Sequence, residues 1–335
     1  MDCCPYTVLV VTWNGDGLLE DCLRSIAENV PRTPPCVVVD NAASESTRRL
    51  CARFGFVRYV AAPSNLGFAG GNNLGLPLCK TRYVCLLNND TVVKADSFSP
   101  LADFLDRNPQ AGAVQGTMVL PRCGGTLDDC GTTLSWYGTQ RHRFFRKPDP
   151  GDLAPVKVFS AKGAFMMVRM SAIAAAGGFL FHGHFGSYYE ETDFCHRVWL
   201  SGSEVWFVPT PPVEHMLGAT SSKFDNAAIW RRYVANIFFS YRANFTLEGK
   251  LRIMLPFAAV CAAWTLFNLL TGNFSRFAAM LGVPFVNMRR RKELRAARAA
   301  VRAFRKLSDR RFLRIAMERR QRRGRRCTLI PDFPG

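Results

Sequence analysis

Residues 6–15 read YTVLVVTWNG, residues 36–41 read CVVVDN and residues 83–90 read YVCLLNND. Each stretch is an apolar, largely β-branched run that stops at Asn, Asp or Gly, which is typical of a strand buried on both faces. Phe56–Ala61 is expected to form a further strand, and helical spacing lies between the strands, as in Leu18–Ala27. We therefore predict an α/β fold, with a Rossmann-like, mostly parallel central sheet and helices on both faces.

The rest of the first 200 residues is less regular. Val114–Leu120 and Phe165–Arg169 have the composition of strands, and Tyr188–Leu200 has the spacing of a helix. Residues 121–155 are rich in Gly, Pro and polar side chains, so loops or a hairpin are expected there. Residues 65–71 (NLGFAGG) predict a glycine-rich loop that leads into a helix.

The composition suits a folded protein with one strongly basic segment. The 335 residues are 48% hydrophobic and 21% charged, which excludes wholesale disorder. The net charge is +18, and residues 289–326 contribute +15 through 18 Lys and Arg against three acids. We interpret this segment as a tail separate from the fold. The twelve cysteines include no CxxC pair, so free thiols in a reducing compartment are expected.

Residues 253–275 contain no charged side chain. Their length permits a transmembrane helix, although Pro256 and Asn268 weaken that interpretation. A single span would place the basic tail across the membrane from a cytoplasmic α/β part, against the positive-inside tendency. We therefore predict that residues 253–326 bind an anionic membrane surface, as a peripheral or re-entrant segment on the cytoplasmic face of the inner or plasma membrane.

Two aspartates stand where predicted strands end: Asp40 follows VVV and Asp90 follows LLNN. Ligands of parallel sheets bind beyond the carboxyl ends of the strands. A carboxylate there can accept a hydrogen bond from a base or ribose, or bind a divalent cation, but Asp also favours plain turns. The intervening glycines do not fit a dinucleotide fingerprint, yet they permit a close approach to a ligand.

Three acids in four residues, Glu190, Glu191 and Asp193, open the predicted helix Tyr188–Leu200. Acids in a first helical turn interact favourably with the helix dipole, which alone could account for them. A carboxylate at the edge of a pocket can also act as a general base toward a hydroxyl group. His215 stands alone, and a lone histidine is more often structural than a ligand. The residues by themselves leave both interpretations open.

Eight segments occur in an order that is typical of one known family. They are VLVVTWNG (8–15), VVVDNAAS (37–44), NLGFAGGNN (65–73), LLNND (86–90), KGAFMMV (162–168), GGF (177–179), YYEETDFCHR (188–197) and HMLGATS (215–221). In this order the chain resembles the family 2 glycosyltransferases with a GT-A fold, particularly the rhamnosyltransferase-like subgroup of bacterial polysaccharide assembly.

The resemblance implies site roles residue by residue. Asp40 would contact the base or ribose of the nucleotide, Asp90 would bind the metal, and His215 would help hold metal and diphosphate. Glu191, the second member of the acidic pair, is the expected base, with Glu190 and Asp193 as alternatives. The other residues expected around the nucleotide sugar are Thr12, Asn14, Asn41, Asn65, Gly67, Gly70, Asn72, Asn73, Asn88 and Asn89.

The resemblance also implies an activity and a division of the chain. The activity is an inverting, Mg²⁺- or Mn²⁺-dependent transfer of a sugar, with rhamnose as the first candidate, from a dTDP- or UDP-linked donor. The acceptor would be a hydroxyl of a glycan or a polyprenyl-linked saccharide in cell-surface polysaccharide assembly. Residues 1–225 would form the catalytic domain, residues 226–288 a helical membrane-associated segment and residues 289–335 a basic amphipathic tail.

Three other classes of protein compete with this interpretation. One is a catalytically inactive glycan-binding or scaffold protein of the same fold. Another is a nucleotidyltransferase, although Asn14–Gly17 lacks the GxGxRxxP-like loop expected after the first strand. The third is a nucleic-acid-binding protein, since a basic tail attracts polyanions in general. No recognised nucleic-acid module accompanies the tail, so no specific nucleic-acid partner is expected.

Overall fold

A computed structural model describes residues 4–216 and 226–317. The strands are β1 (Tyr6–Thr12), β2 (Cys36–Asp40), β3 (Val57–Ala61), β4 (Tyr83–Asn88), β5 (Thr91–Val93), β6 (Ala111–Gln115), β7 (Met118–Leu120), β8 (Thr126–Leu127), β9 (Thr132–Leu134), β10 (Gln140–His142), β11 (Val156–Lys157), β12 (Phe165–Arg169), β13 (Glu204–Phe207) and β14 (Val213–His215). Residues 217–221 of the segment HMLGATS and the tail beyond residue 317 lie outside the described residues.

The helices fall into two groups. Those of the first 244 residues are α1 (Asp16–Asn29), α2 (Glu45–Ala52), α3 (Gly67–Gly75), α4 (Ser99–Arg107), α5 (Met170–Ala175), α6 (Glu190–Leu200) and α7 (Asn226–Asn244). They are followed by an apolar helix (Leu247–Leu270), by the helices Phe274–Leu281 and Val283–Arg289, and by two basic helices, Arg291–Phe304 and Asp309–Ala316.

The central sheet has eight strands in the order β11-β13-β6-β12-β4-β1-β2-β3. β1 pairs in parallel with β2 on one side and β4 on the other, while β12 runs antiparallel between β4 and β6. The predicted mostly parallel sheet is therefore confirmed. The chain leaves β1 toward β2 and β3 and later returns to its other side at β4, so the carboxyl ends of β1 and β4 flank a topological switch point.

Helices cover both faces of this sheet, as the sequence predicts. On one face α1 buries Leu19, Leu23 and Ile26 at the spacing of one helical stripe. On the other face α3, α6 and the C-terminal helices join one large apolar cluster, which includes Leu9 of β1 and Phe312 of the second basic helix. The switch point is thus set in a rigid, two-sided core.

Two local predictions are wrong. The run Val114–Leu120 does not form one strand: β6 and β7 belong to different sheets, and at the break the Thr117 amide donates to the Thr210 hydroxyl instead of to a neighbouring strand. The glycine-rich stretch is not a loop, since α3 already begins at Gly67. Its small residues let the helix pack closely, and a Cβ at Gly71 would lie 2.7 Å from Val11.

A second, four-stranded sheet has the order β5-β14-β7-β8, and β9 and β10 form a separate antiparallel hairpin. The predicted irregular segment 121–155 supplies β8 and this hairpin. The small sheet begins directly after β4 and ends at His215. The small sheet therefore brings His215 next to the carboxyl end of β4, although His215 follows Asp90 by 125 positions in the chain.

The described part of the basic segment belongs to the fold, which corrects our interpretation of it as a separate tail. The helix Arg291–Phe304 buries Leu294, Ala297 and Val301, and the helix Asp309–Ala316 buries Phe312. The first of these helices packs on α6 and α7, and the second packs on β9 and the start of the apolar helix, with Phe312 stacked on His196 of α6. Most of their arginines lie on the outer side of folded helices. The predicted amphipathic pattern is confirmed for these two helices.

Within residues 4–216 and 226–317, one helix, Leu247–Leu270, is long and apolar enough to cross a membrane by length and composition. Its most apolar window is only 17% buried. Many of its large side chains face outward, and Leu270 is 77% exposed.

Candidate active site

The switch point brings together the polar residues that end β1 and β4. Asn89 donates from Nδ2 to Oγ1 of Thr12 at 3.0 Å, which ties the two strand ends to each other. Asn14 lies just beyond β1, exposed and with a left-handed φ of +50°. Thr12, Asn14, Asn88 and Asn89 therefore lie at one edge, as the sequence predicts for residues around a nucleotide.

The small sheet places His215 against Asp90. β14 runs antiparallel to β5, with His215 opposite Thr91. Nε2 of His215 lies 3.3 Å from Oδ1 of Asp90 and 3.4 Å from Nδ2 of Asn88. The two predicted metal residues, 125 positions apart in the sequence, are thus direct neighbours, and both are buried.

Asp128 lies on the other side of His215, and the sequence analysis missed it. Its Oδ2 is 2.8 Å from Nδ1 of His215, and its Oδ1 accepts from Nζ of Lys162 at 2.6 Å. Burial alone would raise the pKa of Asp128, but Lys162 and His215 hold it well below its usual range. Two adjacent acids after a short strand, Asp128 and Asp129, were the available signal, hidden in a segment that looked like a loop.

His215 is held between these two carboxylates. Burial lowers the pKa of His215, but the hydrogen bond to Asp128 and the nearby Asp90 carboxylate outweigh burial and raise it. A carboxylate on Nδ1 of a histidine is the arrangement that orients Nε2 toward a metal.

The residues here fit a divalent cation shared with a ligand. Oδ1 of Asp90 is buried and, apart from its 3.3 Å contact with Nε2 of His215, has no hydrogen-bond partner, which is costly unless something else binds it. Within the described ranges no group of three or more His, Cys, Asp or Glu side chains has a metal-holding arrangement. Asp90 and His215 would therefore supply only part of a coordination shell, as is usual where phosphate oxygens complete it.

The acidic pair opens α6 after a strained turn. Tyr188 and Tyr189 both have left-handed φ angles, +74° and +73°, which non-glycine residues rarely adopt and which cluster at functional sites. Glu190 is buried and Glu191 half-buried, and each has one carboxylate oxygen without a hydrogen-bond partner.

Burial raises the pKa of both glutamates. For Glu190 the adjacent Glu191 carboxylate adds to the effect and raises the pKa well above its usual value. For Glu191 burial also dominates, while Lys162 and His142 act in the opposite direction. Because Lys162 also pairs with Asp128, its charge links Glu191 electrostatically to the side chains Asp128, His215 and Asp90, which contact one another; we call these five residues the charged network.

Asp193, the third acid, has a different environment. It is fully buried and accepts from Nε of Arg197 at 2.9 Å and from Nδ2 of Asn244 at 2.9 Å. The Arg197 guanidinium also donates to the carbonyl groups of Ala176 and Phe179. Although burial opposes it, the cations around Asp193 lower its pKa. The Asp193 side chain therefore stabilises the packing between α6 and α7 through Arg197 and Asn244.

Asp40 holds its own loop in this structure. Its oxygens accept from the amides of Ala42 at 2.9 Å and Ser44 at 2.8 Å and from the hydroxyl of Tyr59 at 3.2 Å. The side chain is completely buried. Because this buried carboxylate already holds the loop through three hydrogen bonds, the geometry favours the turn-forming interpretation of this residue.

The glycine-rich segment is held by its asparagines. Nδ2 of Asn41 donates to Gly67, Nδ2 of Asn72 to Phe68 and Nδ2 of Asn73 to Phe181, each at a backbone oxygen. Oδ1 of Asn65 accepts from the Gly67 amide, and a Cβ at Gly70 would press on Leu66. These residues shape the start of α3; their predicted contacts with the nucleotide sugar stay predictions.

Gly67 explains why this segment lies beside the acidic pair. Its φ is +68°, and a Cβ there would lie 2.5 Å from the Gly186 oxygen. The Ala69 amide donates to that same oxygen at 2.8 Å. The start of α3 is therefore in close contact with the loop that leads to Tyr188 and Glu190.

A family model described as Glycosyl transferase family 2 matches residues 7–173. The chain carries a glycosyl transferase family 2 domain. The match covers β1, β4 with Asp90, the Asp128 segment and Lys162, and it stops before the acidic pair and His215.

A curated relative and two solved structures agree with this assignment. The low-salt glycan biosynthesis hexosyltransferase Agl10 of Haloferax volcanii is 26% identical over 191 residues, covering 53% of this chain and 58% of that protein. GalNAc-T7 with UDP, GalNAc and Mn²⁺ superposes with a TM-score of 0.57 at 15% identity, covering 73% of this chain and 48% of that one. The mannosyltransferase PcManGT from Pyrobaculum calidifontis, in complex with GDP-Man and Mn²⁺, superposes with a TM-score of 0.54 at 16% identity, covering 85% of this chain and 87% of that one.

The family 2 domain has the predicted GT-A fold, since both structural neighbours are glycosyltransferases that share it. At identities of 15% and 16% the likeness concerns the fold alone. The chain spans about half the length of the GalNAc-T7 chain and 58% of the archaeal hexosyltransferase.

Proposed function

We propose that this protein is an inverting glycosyltransferase that moves a sugar from a nucleoside diphosphate donor to a hydroxyl group in glycan biosynthesis. The observation that carries the proposal is the charged network from Glu191 through Lys162, Asp128 and His215 to Asp90. It lies at the switch point of a glycosyl transferase family 2 domain and combines a carboxylate of raised pKa with an unpartnered buried carboxylate oxygen.

Glu191 is the proposed general base. A carboxylate whose pKa is raised is a stronger proton acceptor than an ordinary one, as long as it is ionised at the working pH. It takes the proton of the acceptor hydroxyl, and that oxygen forms a bond to the anomeric carbon. The bond from this carbon to the diphosphate oxygen breaks on the opposite face, so the product has inverted configuration and no covalent enzyme intermediate forms.

Asp90 and His215 would hold a Mg²⁺ or Mn²⁺ ion. Such an ion supplies positive charge that stabilises the departing diphosphate. Asp128 fixes the ring of His215 so that Nε2 faces Asp90. Lys162 is a second positive charge nearby and is held in place by Asp128.

The location of the charged network, at the carboxyl edge of the central sheet, supports a nucleotide-linked donor. Thr12, Asn14, Asn88 and Asn89 surround the switch point, where a nucleotide would bind, and Asp40 shapes the adjoining loop. The curated relative is named a hexosyltransferase, and the neighbours were solved with UDP or GDP-Man. We keep a dTDP- or UDP-linked sugar as the expected donor, with rhamnose as the first candidate, and a glycan or polyprenyl-linked saccharide as the acceptor.

The exposed apolar helix and the basic helices support work at a membrane. Leu255, Phe267 and Leu270 are more than half exposed on the helix Leu247–Leu270. The arginines of the two basic helices are available for anionic lipid. We therefore place the protein on the cytoplasmic face of the membrane, with the apolar helix in the plane of the bilayer surface or re-entrant.

Calorimetric binding of UDP, dTDP and GDP, with Mn²⁺ and with EDTA, tests the function without knowledge of the acceptor. We expect Mn²⁺-dependent binding of one nucleotide, which Asp90→Asn abolishes. Asp103→Asn, at an exposed position on α4, is the matched control and should bind normally. Binding of none of the three nucleotides, or binding indifferent to EDTA and to Asp90→Asn, would overturn the proposal in favour of a glycan-binding or scaffold protein.

A further inference from the structure

A pocket of about 350 Å³ lies where the end of α7, the start of the apolar helix and the first basic helix meet. Four of the side chains that line it are cationic: Lys250, Arg298, Arg302 and Arg305. None of them has a part in the proposed chemistry. The C-terminal helices therefore build a cationic cavity for which sugar transfer provides no use.

The protein around the pocket supplies little negative charge. Arg305 donates to Oδ1 of Asp309 at 2.7 Å. The other oxygen of Asp309 accepts from the amides of Thr246 and Gly249 at 2.8 Å and 2.9 Å. The other three cations that line the pocket have no acidic partner within residues 4–216 and 226–317. The cavity thus holds an excess of positive charge.

These three cations act on one another. Arg298 and Arg302 lie one helical turn apart on one face of their helix, and Lys250 lines the same cavity from the apolar helix. Burial lowers the pKa of Lys250, and nearby arginines, Arg298 foremost, lower it further, although Asp309 opposes them. Burial and the same Arg298 lower the pKa of Arg242 at the end of α7. Like charges held together raise the free energy of the ligand-free protein, and a bound anion would relieve this cost.

The donors of the pocket are held in place without being used up. Nε of Arg298 donates to the backbone oxygen of Arg242 at 2.8 Å, which fixes the guanidinium group and leaves its two terminal nitrogens. In the described part of the chain, neither Nζ of Lys250 nor the guanidinium group of Arg302 forms a hydrogen bond. Two guanidinium forks and an ammonium group that converge from two helices suit the oxygens of a multiply charged phosphate group.

The lining of the pocket favours a compact phosphate compound over an extended polyanion. The buried side chains of Phe245 and Val301 are part of the lining. Leu247 also lines the pocket and is 71% exposed, so the cavity opens beside an apolar side chain. A nucleic acid carries one charge per phosphate along an extended backbone, and it would bind the outward arginines of the basic helices as readily as this cavity.

We propose that this pocket binds the phosphate group of a phosphate monoester, with Lys250, Arg298 and Arg302 as the residues that hold it. A monoester carries nearly two negative charges at neutral pH, which matches the excess of cations better than a singly charged diester does. A lipid headgroup and a free phosphate compound can both supply this group. The pocket shares no residue with the charged network, so phosphate binding and sugar transfer can be tested separately.

Calorimetry with inorganic phosphate tests the pocket on the full-length protein, against sodium chloride of equal ionic strength. We expect saturable binding that the pocket variant, Lys250→Gln/Arg302→Gln, weakens by about tenfold or more, because charge-assisted contacts are lost. Lys292→Gln/Arg295→Gln is the matched control and should bind as the parent protein does. It also removes one lysine and one arginine, at exposed positions on the first basic helix outside the pocket.

Thermal unfolding in phosphate-free buffer separates lost binding from lost folding. The pocket variant relieves the repulsion between the cations, so it should unfold at the same temperature as the parent or at a higher one. Added phosphate should raise the unfolding temperature of the parent and of the control, but not that of the pocket variant.

Vesicles distinguish the two sources of the phosphate group. Flotation compares phosphatidylcholine vesicles that contain phosphatidic acid, a monoester, with vesicles of equal surface charge that contain phosphatidylglycerol, a diester. A preference for phosphatidic acid that the pocket variant loses would support the proposal and assign the pocket to a lipid headgroup. Phosphate binding without such a preference would support it and assign the pocket to a free phosphate compound.

Three results would overturn the proposal. One is a parent protein that neither binds phosphate nor prefers phosphatidic acid. Another is an equal loss of binding in the pocket variant and in Lys292→Gln/Arg295→Gln, which would show a general attraction of the basic helices to anions. The third is a pocket variant that unfolds at a lower temperature than the parent without phosphate, since its cations would then stabilise the fold without a ligand.

Discussion

At the scale of single residues, the site depends on how burial and charge act on a few carboxylates. Asp90, Glu190 and Glu191 each keep a buried oxygen without a partner, whereas the oxygens of Asp40 and Asp193 are engaged by backbone amides or by Arg197. An unpartnered buried oxygen raises the free energy of the ligand-free protein and is relieved by binding. This contrast distinguishes Asp90, Glu190 and Glu191 from Asp40 and Asp193, whose oxygens hold the fold.

Glu191→Gln is expected to abolish sugar transfer, because the amide cannot accept the proton of the acceptor, while nucleotide binding stays normal. Transfer assays and nucleotide calorimetry on the same variant measure the two effects. Asp193→Asn serves as the contrast: it leaves Arg197 buried without its carboxylate and should cost about 3–5 kcal/mol of stability in denaturant unfolding. Near-normal turnover by Glu191→Gln would contradict its role as the base.

The pH profile of transfer should report the raised pKa of Glu191. The base works only when ionised, so activity falls as the pH drops through this pKa. Because burial raises the pKa above the ordinary 4.5, the loss should occur at a higher pH than for an exposed glutamate. The profile of kcat/KM measures it, with nucleotide binding followed over the same range as the control. A fall of kcat/KM that begins only at or below pH 4.5 would argue against Glu191 as the base.

Asp128→Asn should loosen the ring of His215 and weaken metal binding. Removing a carboxylate that orients a metal-binding histidine costs about 10- to 100-fold in metal affinity. We expect the Mn²⁺ concentration for half-maximal nucleotide binding to rise by that factor. Asp129→Asn, which breaks the 2.7 Å contact with His142 instead, is the neighbouring control and should leave the Mn²⁺ requirement unchanged. An equal rise of the Mn²⁺ requirement in both variants would contradict the role of Asp128 in orienting His215.

At the scale of elements, the C-terminal helices position the turn that carries the acidic pair. Asn236 of α7 is fully buried and donates from Nδ2 to the carbonyl oxygens of Ser187 at 3.4 Å and Tyr188 at 2.8 Å. Its own oxygen accepts from Nη1 of Arg290 at 2.8 Å. The strained Tyr188–Tyr189 turn is therefore held from outside the segment matched by the family model.

Asn236→Ala is expected to reduce kcat by about 100-fold with nucleotide affinity unchanged, because a small displacement of the turn misplaces Glu191. Asn287→Ala is the matched control, since Asn287 is also buried and donates to the Ala235 oxygen of the same helix without touching the turn. Both variants should lose similar stability on thermal unfolding. If kcat falls equally in both, the effect is one of folding and the positioning role is wrong.

At the scale of the whole molecule, apolar and basic surfaces lie together in the C-terminal third. The apolar helix exposes its large side chains, and the basic helices that follow it keep their apolar faces buried against the fold. Exposed apolar patches of this kind mark contacts with a membrane or another protein. The neighbouring arginines favour an anionic membrane.

Phe267→Glu with Leu270→Glu should weaken binding to vesicles that contain phosphatidylglycerol by about tenfold or more, since two exposed apolar anchors become anionic. Flotation of the protein with vesicles measures the effect, and the remaining binding should fall further at high salt. Phe144→Glu, an exposed position on the loop after β10, is the control and should float normally. Unchanged flotation of the double variant would show that this helix is not the anchor.

Much of the fold could be predicted from local patterns. The runs at Tyr6–Thr12, Cys36–Asp40 and Tyr83–Asn88 form strands because apolar β-branched residues in a short stretch suit a doubly buried strand wherever they occur. The break between β6 and β7 could not be predicted, since at that point Thr117 bonds to Thr210, 93 positions later in the chain. The helix that begins at Gly67 likewise depends on Gly186.

The amino-acid sequence alone determined the α/β class, the strand ends that hold Asp40 and Asp90, the acidic pair at the start of α6 and the amphipathic pattern of the basic helices, because these depend on neighbours along the chain. Only the tertiary structure decided that Asp128 supports His215 and that Asn236 holds the turn that carries the acidic pair. These contacts join residues about 50 to 90 positions apart, and no local pattern encodes them.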